Sequence, residues 1–146
     1  EAATEVGAIL GAAESDLQQS AACFGRHIGT AFQLVDDVLD YSGDAEALGK
    51  NVGDDLREGK PTLPLIRVMQ VGSAEQRELI REAIKTGNAD FAAVAQAISA
   101  TDAVEYTQAV AQQEVQYALQ ALEAFPNGRY TQALRDMCLF ATQRDR

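Results

Sequence analysis

Apolar residues recur at intervals of three and four along a long segment that begins near Ser15. The repeat is carried by Phe24, Ile28, Ala31, Val35 and then Val38 or Leu39. With about 3.6 residues per turn, this spacing places the apolar side chains on one face of a helix. We therefore predict a long amphipathic helix that ends between Tyr41 and Gly43 and buries one face.

The rest of the chain repeats the helical pattern, and no segment alternates apolar and polar residues in the manner of a strand. Further helices are predicted over residues 1–13, 61–69, 73–85, 90–99, 102–124 and 129–143. Pro61 and Pro64 suit the first turn of a helix, and Ser73 with Gln76 resembles a capping box. The predicted fold class is all-α.

Composition and charge limit the partners of this chain. Its 22 acidic and 12 basic residues give a formal net charge of -10, which would repel a nucleic-acid backbone. The sequence contains no apolar run of about 18 residues and no signal-peptide pattern, so we expect no membrane span and a cytoplasmic location. Cys23 and Cys138 lie far apart in apolar segments and are interpreted as thiols that act as small hydrophobic residues.

The most informative motif is a DDxxD sequence near the end of the long helix. Helical spacing places Asp36 and Asp40 one turn apart, with Gln33 beside them and Asp37 at the edge of the same face. Like charges at this spacing destabilise a helix, and carboxylates near its C-terminus oppose the macrodipole. Clustered carboxylates suit Mg²⁺, which binds one or two of them together with water and phosphate. The alternative interpretation is a solvated helix face with clustered charges.

A glycine-rich charged segment, residues 42–60, follows the motif directly and is predicted to be an irregular loop that contacts ligand. It contains Lys50, Arg57 and Lys60, three of the 12 basic residues. Metal together with lysine is a combination that can hold a diphosphate and stabilise its charge as it leaves. Within the helix, Gly25 and Gly29 indicate close approach of a neighbouring helix or of a substrate tail.

Two segments carry a resemblance to a known family. GRHIGTAFQLVDDVLDYSGD (residues 25–44) and LGKNVGDDLREGKPTLPLI (residues 48–66) resemble the second aspartate-rich region of the trans-polyprenyl diphosphate synthases. Within that family the similarity is to the bacterial octaprenyl diphosphate synthases, and it extends more weakly over nearly the whole chain. The resemblance implies the helical isoprenoid synthase fold and a homodimeric, Mg²⁺-dependent prenyltransferase.

The implied reaction joins isopentenyl diphosphate to the cation formed when an allylic diphosphate, farnesyl or longer, ionises. A proton is then lost, and the product would be a long-chain trans-polyprenyl diphosphate, octaprenyl by resemblance, for the ubiquinone side chain. The resemblance assigns metal binding to Asp36, Asp37 and Asp40, and diphosphate contact to Lys50. Its other matches are the substrate-side pair Phe32 and Gln33, and a polar loop with Asp54, Asp55 and Lys60.

The chain departs from the family pattern in what it does not contain. The first aspartate-rich motif, the upstream segment for isopentenyl diphosphate and a lysine-threonine pair are not in the sequence, which opens inside a helical pattern at Glu1. We therefore interpret residues 1–146 as the C-terminal part of one synthase domain, and we expect this chain alone to be inactive.

Three other functions are compatible with parts of the sequence. A class I terpene cyclase shares the fold and a DDxxD motif, but the expected NSE-type triad is missing and the GK and GKPT segments argue against it. A non-catalytic subunit of a heteromeric prenyl synthase would not need the DDxxD motif and Lys50. An acidic helical scaffold would need neither. His27 has no second histidine or cysteine nearby and is interpreted as non-catalytic, and Tyr106 and Tyr117 as core or dimer contacts.

Overall fold

The computed structural model describes residues 1–42, 53–87 and 90–142. Throughout these ranges the regular structure is helical, which confirms the all-α class. The helices are α1 (Ala2–Leu10), α2 (Ser15–Ser42), α3 (Asp54–Arg57), α4 (Leu63–Val71), α5 (Ala74–Thr86), α6 (Phe91–Ser99), α7 (Ala103–Ala121) and α8 (Arg129–Thr142), with a 3₁₀ turn at Leu122–Ala124. None of the helices in these ranges has the length and apolar character needed to cross a membrane.

The boundary signals in the sequence act as expected at several helix ends. The long helix α2 ends at Ser42, inside the predicted interval. Ser73 and Gln76 form the predicted capping box at the start of α5, and Pro64 lies in the first turn of α4. The first helix is shorter than predicted, because the chain turns at Gly11 and at Ala12, whose φ is 52°.

The helix α3 corrects the prediction that residues 42–60 lack regular structure. Gly53 has a φ of 83°, and this left-handed turn starts a short helix at Asp54. Acidic residues occupy its first turn and Arg57 its last, the arrangement that the helix dipole favours. Glycine content alone predicted a loop and missed this local pattern of charge. The segment 43–52 of the same prediction lies outside the described residues.

The chain forms two compact units, each with a core of its own. Among the described residues, the first consists of residues 1–35 and 110–142, and the second of residues between 36 and 109. The first core contains Phe24, Ala31, Val115, Ala118, Leu122 and Cys138. The second contains Tyr41, Leu56, Leu65, Val68, Ile80, Ala83, Val94, Ala97, Ile98 and Ala103. In the second unit α4 packs on α5 and α6, and α3 packs on α5.

The first unit explains one of the two glycines in α2. A Cβ at Gly25 would lie 2.0 Å from Thr4 Oγ1, so the close approach is made by the neighbouring helix α1. At Gly29 a Cβ would meet nothing within 4 Å, so no close packing requires glycine there.

In the first unit, polar and aromatic contacts of His27 join α2 to α7. His27 Nδ1 lies 2.7 Å from Glu114 Oε2, and its ring centroid is 5.2 Å from that of Tyr117. Tyr117 is 42% exposed and does not belong to the core. Cys138 is fully buried, as predicted, and Cys23 is half-buried.

Candidate functional site

The three acids of the DDxxD motif lie in the last turns of α2 and have three different environments. Asp37 is buried, with 6% of its surface exposed, whereas Asp36 and Asp40 are half-buried. The carboxylate of Asp40 accepts a hydrogen bond from the Gly53 amide at Oδ1 (3.2 Å) and from the Asp55 amide at Oδ2 (3.4 Å). Both distances are at the long end for N–H···O bonds. Asp40 therefore connects the end of α2 to residues 53–60, a turn that begins at Gly53 and contains α3.

The pKa of Asp40 is raised above its ordinary value. Burial is the main cause, and the negative charge of Asp55 acts in the same direction. The amides of Gly53, Asp55 and Asp54 favour the ionised form and oppose this shift without cancelling it. Backbone amides of the described residues thus stabilise the ionised form of Asp40 against the effects of burial and of Asp55.

An aromatic ring packs against Gly53, the first residue of this turn. A Cβ at Gly53 would lie 2.6 Å from Cδ2 of Phe91, so glycine is required both by the left-handed φ and by the ring beside it. The Phe91 ring also stacks on Tyr41, with centroids 6.3 Å apart and planes 6° from parallel. The first residue of the turn is consequently packed against the same ring that contacts the end of α2.

Tyr41 joins α2 to the segment before α4. Its hydroxyl lies 3.1 Å from Thr62 Oγ1, and both side chains are buried. Burial raises the pKa of Tyr41 to about 12, although the hydrogen bond with Thr62 acts in the opposite direction. The phenol is therefore neutral at physiological pH and serves as a hydrogen-bonding support.

Two glycines allow the far end of the turn to approach the end of α5. A Cβ at Gly59 would lie 2.7 Å from the carbonyl oxygen of Ile84, and a Cβ at Gly87 would lie 2.5 Å from that of Arg57. Both residues have positive φ, 69° and 62°. Backbone contacts of this kind hold the turn in place without side chains.

Lys60 ends the turn and is bound to two acids. Its Nζ lies 2.8 Å from Asp55 Oδ1 and 2.6 Å from Glu58 Oε2. The hydrogen bond with Asp55, followed by that with Glu58, raises the pKa of Lys60, so the ammonium stays charged. Its side chain is 54% exposed, so this predicted substrate contact lies at the surface of the second unit with its charge paired by two carboxylates.

Two further predicted substrate residues lie on α2. Phe32 and Gln33 are exposed on α2, in the part of that helix that belongs to the first unit. Phe32 is 46% exposed. Lys50 lies outside the described residues.

The metal site predicted from Asp36, Asp37 and Asp40 can be compared with this geometry. Within residues 1–42, 53–87 and 90–142, no three acidic, histidine or cysteine side chains are grouped so that they could share a metal ion. Asp36 still offers the hard oxygen donors that Mg²⁺ prefers, and that ion needs only one or two protein carboxylates when water and phosphate complete its shell. The carboxylate donors of these acids are of the type that Mg²⁺ prefers, so the chemistry of the donor set fits this ion.

Sequence patterns did not reveal the residues that support this site. Tyr41, Thr62 and Phe91 are apolar or uncharged, and their contacts join positions that are far apart in sequence. The one local signal is the Pro61-Thr62 pair immediately before α4. It indicates the start of a helix but not the partner of the threonine hydroxyl.

Comparison with known proteins shows that the chain is similar to members of one family. The model of the family described as polyprenyl synthetase matches residues 1–101. The octaprenyl diphosphate synthase of Escherichia coli (strain K12) is 44% identical over 148 residues, which cover 100% of this chain and 46% of the relative. The all-trans-nonaprenyl-diphosphate synthase (geranyl-diphosphate specific) of Rhodobacter capsulatus is 46% identical over 145 residues, 99% of this chain and 44% of the relative.

A solved structure gives the same picture. The polyprenyl synthase from Caulobacter crescentus CB15, complexed with calcium and isoprenyl diphosphate, matches with a TM-score of 0.86 and 34% identity. The match covers 99% of this chain and 45% of that one. The chain spans about half the length of the curated relatives it matches.

Proposed function

This chain belongs to the polyprenyl synthetase family, and we propose that it is the C-terminal, metal-binding part of a prenyltransferase. The proposed enzyme condenses isopentenyl diphosphate with an allylic diphosphate of farnesyl length or longer and releases a long-chain trans-polyprenyl diphosphate. The observation that carries this proposal is the family match over residues 1–101. The matched range includes the acids of α2 and the turn whose Gly53 amide donates a hydrogen bond to Asp40.

The proposed product is octaprenyl diphosphate, used for the ubiquinone side chain. The resemblance of the two motif segments supports it, as does the 44% identity to an octaprenyl diphosphate synthase. The 46% identity to a nonaprenyl synthase makes a longer product the main alternative. Product length therefore has to be measured on the enzyme itself.

The residues of this chain would act mainly by electrostatics. Mg²⁺, when bound, supplies positive charge that stabilises the departing diphosphate. Asp36 would hold the metal, and Lys50 and Lys60 would supply further positive charge to the diphosphate. Phe32 and Gln33, which lie on the same helix as Asp36, would contact the substrate. The roles of Asp37 and Asp40 as additional ligands stay predictions.

We expect the enzyme to be a cytoplasmic homodimer, as the family resemblance implies. The 146-residue chain contains a single DDxxD motif. If the reaction needs a second metal-binding motif, this chain alone will be inactive, and a longer reading frame that includes the upstream segment will be active.

The first prediction tests the reaction directly. Transfer of labelled isopentenyl diphosphate to farnesyl diphosphate is measured with Mg²⁺ for this chain and for its reading frame extended upstream. We expect elongation by the extended protein only, and a loss of about 100-fold or more on Asp36→Ala, because a charge-stabilising group of the transition state is removed. Asp16→Ala, an exposed acid at the other end of α2, is the matched control and is expected to leave the rate unchanged.

Different outcomes separate the alternatives. Product length on a thin-layer or mass analysis distinguishes octaprenyl from longer chains. An extended protein that is inactive but binds a second synthase subunit would instead favour the non-catalytic subunit. Formation of a cyclic hydrocarbon would favour a terpene cyclase.

A further inference from the structure

Thr62 does not use its hydroxyl in the way that its position in the chain favours. It is the N-cap residue of α4, yet its side chain makes no capping hydrogen bond to an amide of that helix. A threonine at this position ordinarily caps its helix and stabilises it by about 1 kcal/mol. The hydroxyl instead lies 3.1 Å from the hydroxyl of Tyr41, 21 residues earlier in the chain. Thr62 thus bonds a distant residue in place of its own helix.

The hydrogen bond between Tyr41 and Thr62 is shielded from water. Tyr41 is 9% exposed and Thr62 is 8% exposed. In such a site the loss of one hydroxyl leaves the other without a partner, which costs more than the bond itself contributes. The Phe91 ring stacks on the Tyr41 ring and limits its rotation. The bond therefore joins the end of α2 to the start of α4 at a fixed position.

This bond closes the segment that carries the candidate diphosphate contacts. Tyr41 follows Asp40 directly, and Thr62 lies two residues after Lys60. The Thr62 amide donates a hydrogen bond to the Lys60 carbonyl at 3.0 Å, and the Lys60 amide donates one to the Asp55 carbonyl at 2.9 Å. The backbone that carries the Lys60 ammonium is consequently tied to the residue that bonds Tyr41.

From these contacts we propose that Tyr41 and Thr62 are positioning residues, whose hydrogen bond sets the place of Lys60 relative to the acids of α2. The structural part of the proposal concerns contacts within the second unit only. Its catalytic part rests on the proposed function, because it assumes that Lys60 contacts the allylic diphosphate. Neither hydroxyl has to touch the substrate in this role.

A double-mutant cycle in the 146-residue chain tests the hydrogen bond itself. Tyr41→Phe and Thr62→Val each remove one hydroxyl and nearly keep the shape of the side chain. We expect each single substitution to raise the unfolding equilibrium constant, measured by urea denaturation, by about tenfold. The double substitution is expected to raise it no further, because no buried hydroxyl is then left without its partner.

The matched control for this cycle is Tyr117→Phe, which removes the hydroxyl of a tyrosine that is 42% exposed. It is expected to change the unfolding equilibrium constant by less than about twofold. An increase of about 100-fold in the double variant would show that the two hydroxyls contribute independently, and it would overturn the proposal.

Steady-state kinetics of the reading frame extended upstream test the positioning of Lys60. Tyr41→Phe is expected to raise the KM for farnesyl diphosphate by about fivefold, because a displaced ammonium binds the diphosphate less well. A loss of folded protein alone would lower kcat and leave KM unchanged. In a Lys60→Ala background, the same substitution is expected to change KM by less than about twofold, because the residue through which it acts has been removed.

The kinetic outcomes separate this proposal from the proposed function. An equal rise of KM in both backgrounds would mean that Tyr41 does not act through Lys60, and the proposal would be wrong. Thr62→Ser keeps the hydroxyl and is expected to hold KM within about twofold of the wild type, unlike Thr62→Val. If the extended wild-type protein transfers no prenyl group, the proposed function fails together with the catalytic part, whereas coupling in the unfolding cycle would still support the structural part.

Discussion

Single residues in the second unit are constrained by contacts that their own identity does not reveal. Gly53 combines a left-handed backbone with a position 2.6 Å from the Phe91 ring, measured from the Cβ that any other residue would carry. Gly29, in the same chain, has regular helical neighbours and open space around it. The backbone and the packing therefore require glycine at position 53, whereas position 29 has room for a side chain.

The second prediction uses this contrast. Gly53→Ala is expected to destabilise the chain by about 1–3 kcal/mol, because a side chain is strained at positive φ and would displace the Phe91 ring. The matched substitution Gly29→Ala is expected to stabilise it by about 0.5–1 kcal/mol, since alanine is the better residue within a helix. Thermal unfolding followed by circular dichroism measures both. Equal effects of the two substitutions would contradict the assignment.

A polar contact joins two helices of the second unit. Arg67 on α4 donates two hydrogen bonds to Asp102, which lies just before α7, at 2.9 Å and 2.7 Å. The same guanidinium lies 4.4 Å from the ring centroid of Tyr106. The two contacts connect α4 to the start of α7, and Tyr106 is half-buried beside the guanidinium.

The third prediction follows from the pKa of Asp102, which the hydrogen bonds from Arg67 hold below its ordinary value. A carboxylate with a lowered pKa stabilises the folded state above its unfolded pKa of about 4, and this contribution is lost as pH falls through the lower folded pKa. Asp102→Asn should therefore lower the melting temperature at pH 7, and the difference from the wild type should shrink below about pH 4.

The control for this experiment is Glu78→Gln, which removes an exposed ion pair with Arg81 on the same helix. Because such pairs contribute little, a smaller change is expected. If the difference in melting temperature between Asp102→Asn and the wild type did not change with pH, the ion pair with Arg67 would not be the cause of that difference.

At the scale of the whole molecule, two separate cores share the burial of apolar residues. Leu65 is fully buried in the core of the second unit, and Leu122 in that of the first. Several apolar side chains of the first unit stay exposed, among them Leu10 at 82%, Phe140 at 67% and Met137 at 55%. Within the part of the chain that the structure describes, burial is thus concentrated in these two clusters.

The fourth prediction is that Leu65→Ala lowers the free energy of unfolding by about 2–5 kcal/mol, because it leaves a cavity in a fully buried position. Met137→Ala is the exposed control and is expected to change it by less than about 0.5 kcal/mol. Urea denaturation followed by far-ultraviolet circular dichroism gives both values. A loss at Leu65 as small as that at Met137 would show that this core contributes little to stability.

Much of the fold follows from patterns along the sequence. The three- and four-residue spacing predicted the helix α2 and its end, and the Ser73 and Gln76 signal predicted the start of α5. These features succeed because helix periodicity and capping act between residues a few positions apart. The acids of the DDxxD motif were identified for the same reason.

Tertiary structure decided the environment of each acid. Helical spacing alone placed Asp36, Asp37 and Asp40 on nearly the same face, yet Asp37 is buried and Asp40 binds amides that lie 13 and 15 residues further along the chain. The short helix α3 and the packing of Gly53 on Phe91 likewise depend on contacts between distant segments. The sequence by itself determined which residues carry charge, where α2 ends and where α5 begins. Only the packing of distant segments determined which charges are free to meet a ligand, because burial and hydrogen bonding depend on neighbours that the local sequence does not specify.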